Sequence, residues 1–389
     1  MESWRNWSGK LHAEPREILR PASEDAVVAE IARAHDAGAS VRCVGAAHSH
    51  APLAVTDGHL LDMEAFAGVA VADRDRRIVT VGAGTRLYQL GVPLRAEGLG
   101  LVNMGDINRQ AIAGVIATGT HGTGETLKNF SSAVVGLRIA LADGPVVECD
   151  AEHDGELFQA ARLGLGSVGV VLSANLAVRE AYRLREGIWL EDLDSVLART
   201  TEFGAAHRHF EFFWFPGRAK AVCKHIDETQ DPPEYPMREG ARVGWSFEVL
   251  PSHRPDKHTE MEYSVPAERG PACFAELRDL LTRDFPDFTW PLEYRTVAAD
   301  DVWLSMAHGR STVTISVHQD VGLDDEPVFR ACEEVFLRHE GRPHWGKVHY
   351  LGGDTLAERY PQWHDWWRVR DAYDPTGLFL NEAMAALRP

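Results

Sequence analysis

Between Met104 and Glu125 the chain reads MGDINRQAIAGVIATGTHGTGE, its densest run of small residues. Gly114, Gly119, Gly122 and Gly124 alternate there with Thr118, Thr120 and Thr123. With no side chains in the way, backbone N–H groups can approach an anion closely, and the hydroxyls add donors. A phosphate-bearing cofactor suits such a segment; a tight-turn loop that merely packs is the plainer alternative. No strand–GxGxxG–helix unit opens the chain and no GxxxxGK[ST] occurs, so neither a Rossmann nor a P-loop site is indicated.

A second constraint is VRCVGAAHSH, residues 41–50, where an apolar strand runs into three small residues and then His48-Ser49-His50. Three readings stay open on these residues alone: an H-x-H metal site, a nucleophilic histidine that tethers a cofactor, or ordinary polar residues ending a strand. Composition narrows the partner. A net charge of −18 leaves no basic field for nucleic acid or an anionic membrane surface, so a small molecule is expected. A length of 389 residues with 44% hydrophobic and 25% charged content predicts a soluble protein of about two domains. Cys43, Cys149, Cys223, Cys273 and Cys332 are odd in number and scattered, which argues against a disulfide framework or zinc cluster and for a reducing compartment. The first residues, MESWRNWSGK, lack an apolar signal region, and no run of about 18 apolar residues follows. A cytoplasmic enzyme is expected.

The pattern along the chain is mixed α and β. Ser23 caps a predicted helix that stops at Gly38; strands follow at 41–44, 76–84, 133–144 and 168–178, with a helix over 155–164. Beyond Arg179 the strands lengthen, at 209–217, 244–250, 260–266, 292–297 and 311–320, with helices over 272–285 and 327–341 and an exposed loop over 227–240. These proportions predict an α+β fold in which helices pack on one face of an antiparallel sheet. In Leu292-Glu293-Tyr294-Arg295 the acid and the base share one strand face. Thr314, Ser316 and His318 form a polar face opposite Val313, Ile315 and Val317. Two such strands either roof a cavity for a polyhydroxylated ligand or form a solvated outer face.

VGAAHS (44–49), MGDINRQAIAGVIATGTHGTG (104–124), HFEFFWFP (209–216), EMEYSVP (260–266), HWGK (344–347), WRNWSG near the start and DPTGLFLN (374–381) resemble landmarks of the aldonolactone and alditol oxidases, flavoproteins of the vanillyl-alcohol oxidase superfamily. The resemblance spans nearly the whole chain. It implies a two-domain PCMH-type fold: residues 1–179 bind FAD, 180–345 form a substrate-binding cap, and 346–389 return to the FAD domain. His48 matches the histidine joined covalently to the flavin 8α-methyl. Val44, Gly45, Ala46, Ala47, Ser49, His50, Gly105, Asp106, Ala111, Gly114, Thr118, Thr120, His121, Gly122, Thr123, Gly169, Val170, His344 and Asn381 are implied cofactor contacts, with Ala47 standing where most relatives carry glycine. Glu293 and Arg295 match an acid–arginine pair over the substrate, Lys347 a lysine near the flavin pyrimidine, and His318 a histidine that contacts the alcohol. No metal is expected. The implied reaction oxidises the C2 hydroxyl of a sugar-acid 1,4-lactone of the L-gulono, L-galactono or D-arabinono type, with hydride passing to flavin N5. Gly105 points to O2 as acceptor with H2O2 as product. An alditol oxidase and a dehydrogenase using another acceptor are the alternatives, and a flavin-free lactone-binding protein would need neither Glu293 nor Lys347.

Overall fold

The computed structural model describes residues 2–252 and 254–389. Ser23 Oγ accepts from Ala26 N and starts the helix Glu24–Asp36, whose acidic first turn suits the positive end of its dipole. Val27, Ile31 and Ala34 fall on its buried face. They share a core with Val41 and Leu61 of a parallel three-stranded sheet ordered Glu17–Leu19, His59–Asp62, Val41–Val44. Beside it stands an antiparallel sheet ordered Val146–Asp150, Val134–Ala140, Val170–Ala177, Ile78–Gly82, Val69–Asp73. The late helix Trp363–Tyr373 packs back onto this part: Trp366 Nε1 donates to Ala160 O (3.0 Å) and Arg370 Nε to Ser167 O (3.2 Å).

Residues 183–343 supply an eight-stranded antiparallel sheet, ordered Val243–Trp245, Arg183–Asp192, Lys220–Thr229, His209–Trp214, Leu292–Val297, Thr312–Asp320, His258–Pro266, Arg342–Pro343. Its register sorts side chains by face. Phe212, Tyr294, Ile315 and Tyr263 lie directly opposite one another on successive strands, and so do Phe213, Glu293, Ser316 and Glu262. Adjacent residues on a strand point to opposite sides, so one face is apolar and the other charged. The apolar face packs on the helix Gly270–Asp284, with the Phe274 ring 5.0 Å from Phe212 and 6.0 Å from Tyr294. The charged face turns toward the first part of the chain, where Thr123 Oγ1 donates to Phe210 O (2.5 Å) and accepts from Thr296 N (3.2 Å).

Two sequence expectations change. The strand expected over 244–250 is Val243–Trp245 followed by a short helix, Ser246–Val249, because Glu248 accepts from Trp245 N (2.9 Å) and turns the chain. The loop expected from 227 begins later, since Lys220–Thr229 stays paired to Arg183–Asp192 throughout. None of the five cysteines forms a disulfide, and among the described residues no helix is long and apolar enough to cross a membrane.

Candidate active site

A groove runs between segment 42–49, the helix Ile112–Ala117 and the turn 164–169. Gly45, Ala46, Ala47, His48, Ser49 and Gly114 line it, as do Val44, Ala111, Thr118 and Gly169. Its small residues are there for stated reasons. A Cβ on Gly45 would stand 2.7 Å from Ala111 Cβ, so the two walls close only over a glycine, whereas a Cβ on Gly114 would enter open space. None of the backbone N–H groups of residues 46–49 donates to a backbone carbonyl among the described residues. Behind them the buried Arg42 donates to Leu53 O (2.6 Å), Gly166 O (2.9 Å), Leu165 O (2.7 Å) and Phe379 O, and among the described residues it has no carboxylate partner. Its carbonyl contacts hold Leu165 and Gly166 in successive left-handed conformations (φ 53° and 64°). Free amides, an uncompensated guanidinium and an apolar wall fit a dinucleotide with a pyrophosphate.

His48 stacks on Trp7, ring centroids 5.3 Å apart. Burial, with smaller contributions from Lys347 and Arg86, pushes its pKa down to about 4, so the imidazole is neutral and nucleophilic at physiological pH. Ala47 sits at φ 56°, in the left-handed region that favours glycine.

Gln110 lines both this groove and a chamber under the charged face of the large sheet. Each cation in the chamber is held by its own carboxylate. Lys347 Nζ donates to Glu260; Arg295 donates to Glu262 and lies 3.5 Å from Glu293; Arg254 pairs with Asp106 and lies 3.4 Å from Glu293. Glu262 also accepts from Ser316 Oγ (2.6 Å), and His121 Nε2 lies 2.9 Å away. Burial alone would raise these acids. Lys347 and His318 outweigh it at Glu260, Arg295 and His121 at Glu262, and Lys224, Arg254 and Arg295 at Asp106, so all three sit well below the usual carboxylate range. At Glu293 burial wins and the pKa rises. His318, pushed by burial to about 4, donates through Nδ1 to Pro291 O (2.9 Å), which leaves the Nε2 lone pair facing the chamber, 3.7 Å from Glu260 Oε1. His344, lowered by burial to about 3, accepts from Gly346 N (2.9 Å).

Gly105, Asp106, Thr120, His121, His344, Lys347, Glu293, Arg295 and His318 thus meet around one space. Five expected cofactor contacts line neither the groove nor the chamber. Val170 is buried between sheet neighbours. Asn381 binds Pro52 O and Val55 O (both 2.8 Å) and caps the last helix. Thr123 ties its loop to two neighbouring strands of the large sheet, and a Cβ on Gly122 would meet Met104 O at 2.4 Å. His50 is buried outside the groove, 5.8 Å from His258. Glu260, Glu262, Arg254, His258 and Gln110 escaped the sequence reading. The acids carried a usable signal, since Glu260 and Glu262 are two apart on a strand like Glu293 and Arg295; Arg254 lies in a loop that no pattern marks.

Residues 15–150 match the FAD binding domain family. With the groove and the charged chamber, this defines an FAD-dependent oxidoreductase acting on alcohol groups. Residues 174–242 and 237–387 match the D-arabinono-1,4-lactone oxidase family, and the chain belongs to that family. It is 36% identical to the L-gulono-1,4-lactone dehydrogenase of Mycobacterium tuberculosis, with 97% of both chains covered. It is 31% identical to the alditol oxidase of a Streptomyces species, over 97% of this chain and 96% of that one. Among solved structures, a solvent-stable cholesterol oxidase shares the fold with a TM-score of 0.89 at 18% identity, over 99% of this chain and 97% of that one.

Proposed function

We propose that this chain oxidises the C2 hydroxyl of a sugar-acid 1,4-lactone of the L-gulono, L-galactono or D-arabinono type. In this reading residues 1–179 and 346–389 hold the FAD, residues 180–345 form the cap, and His48 carries the flavin covalently. Bound flavin supplies the hydride acceptor; the remaining work falls to side chains. The observation that carries the proposal is the pairing of Lys347 with Glu260 and of Arg295 with Glu262 in one chamber that meets the cofactor groove at Gln110. Arg295, fixed by two carboxylates and Ser316, orients the lactone carbonyl or a hydroxyl. His318 Nε2 takes the hydroxyl proton, and Glu260 stabilises the imidazolium that forms. Lys347 places positive charge where negative charge develops.

For the electron acceptor, O2 is the first reading and a dye or cytochrome the second. Packing alone accounts for the small residue at Gly105, because a Cβ there would stand 2.9 Å from His121 O. A steady-state screen of the three lactones and of xylitol and sorbitol, run on an oxygen electrode and again with a redox dye, tests substrate and acceptor together. Turnover of alditols alone would reject the lactone reading. Covalent attachment is tested by acid precipitation: yellow colour stays in the wild-type pellet and leaves that of His48→Ala, and equal release from both would reject the bond.

A further inference from the structure

Past Asp106 lies a smaller, separate cavity with room for about one water-sized group, walled by Thr123, His209, Glu211 and Lys224; Asp106 is the residue it shares with the chamber. His209 and Glu211 stand on the strand His209–Trp214 and Lys224 lies directly opposite Glu211, so the charged face of the sheet continues into this space. The walls are buried: His209 is 2%, Glu211 3% and Lys224 6% exposed. Their polar atoms are only partly used. His209 Nδ1 donates to Thr123 O (2.8 Å), while its buried Nε2 has no partner among the described residues. Lys224 Nζ donates to Glu211 Oε1 (2.9 Å), and Glu211 Oε2 accepts no hydrogen bond among the described residues. A buried acceptor without a donor costs about 1–3 kcal/mol, so the space calls for a hydrogen-bonding guest. Lys224 pairs with Glu211 and the third charge on the wall, Asp106, pairs with Arg254, which disfavours an ion. Two acceptors beside an ammonium suit an uncharged hydroxyl, which both donates and accepts.

We propose that this cavity is a subsite for the terminal hydroxyl of the lactone side chain, so that the chain prefers six-carbon lactones, whose side chain reaches one carbon further from the ring, over five-carbon ones. The inference rests on the lactone reading given above. Sites built to bond a hydroxyl reject analogues that lack it far more strongly than apolar pockets reject a missing methylene.

The test compares kcat/KM of the wild-type holoenzyme for L-gulono-1,4-lactone, its 6-deoxy analogue and D-arabinono-1,4-lactone. The parent is expected to exceed the 6-deoxy analogue and the five-carbon lactone by about tenfold or more. In Glu211→Gln and His209→Phe the ratio of parent to 6-deoxy analogue should collapse toward one, and a ratio cancels any general loss of folded enzyme. Equal use of parent and analogue by the wild type, or an undiminished ratio in both variants, overturns the subsite. Should neither variant fold, the wild-type comparison decides alone. Failure to turn over any lactone would instead overturn the reaction assignment and this subsite with it.

Discussion

Replacing Ala47 by glycine should stabilise the protein, although glycine for alanine at an ordinary buried position does the opposite. Ala47 holds φ at 56° because its carbonyl accepts from Trp7 N (2.7 Å) and the next residue must bring His48 onto the Trp7 ring. An L-residue in this region pays about 1–2 kcal/mol for the contact of its Cβ with the backbone. Glycine removes that strain but gives the unfolded chain more freedom, worth about 0.5–1 kcal/mol the other way. The difference is a net gain of about 0.5–1 kcal/mol for Ala47→Gly. Ala46 is the internal control: it lines the same groove and is not among the residues with positive φ, so Ala46→Gly should lose about 0.5–1 kcal/mol. Urea unfolding of the two variants beside the wild type reads both signs, because the midpoint moves with stability while the slope stays constant. If Ala47→Gly loses stability as Ala46→Gly does, the strain argument is wrong.

Glu262 is buried and takes bonds from Arg295 and Ser316, so Glu262→Gln should cost about 3 kcal/mol in urea unfolding and lower kcat/KM, since Arg295 keeps only Glu293 as counter-ion; wild-type stability would show the pair to be idle. Burial depresses the pKa of His209, His318 and His349 to about 4, against about 6.5 in an unfolded chain. The unfolded chain therefore binds protons first as pH falls, and each of these residues removes about 3 kcal/mol of stability between pH 6.5 and 4, which unfolding midpoints at pH 7, 5.5 and 4.5 measure. Arg42→Met removes the donor set that shapes the turn at Leu165 and Gly166; purified protein should retain markedly less flavin by absorbance per mole, and full occupancy would refute the role assigned to Arg42.

Much of this site is written locally. Alternation alone put Thr314, Ser316 and His318 on one side of a strand, and the two-residue spacing put Glu293 beside Arg295, because strand geometry is set by nearest neighbours. Whether that side faced solvent or a cavity was not local: it depended on residues 104–125 folding over the sheet, and the resemblance, not the spacing, favoured a cavity. Glu260 and Glu262 show the same alternation, and nothing in their own strand distinguishes them from a solvated acidic edge. Thr123 and Asn381 look like cofactor ligands in sequence, yet long-range partners, Phe210 O in one case and Pro52 O in the other, claim their polar atoms. The cavity behind Asp106 exists only once strands 209–214 and 220–229 lie next to each other, so no window of sequence displays it.

The guanidinium of Arg42 ties Leu53 and residues 165–167 to Phe379, which lies 337 positions along the chain from it. Synthesis delivers the N-terminal portion first. In the proposed reading, FAD capture therefore belongs to the end of biogenesis: a nascent polypeptide released short of residue 379 carries His48 but lacks the last stitch of the cradle around it.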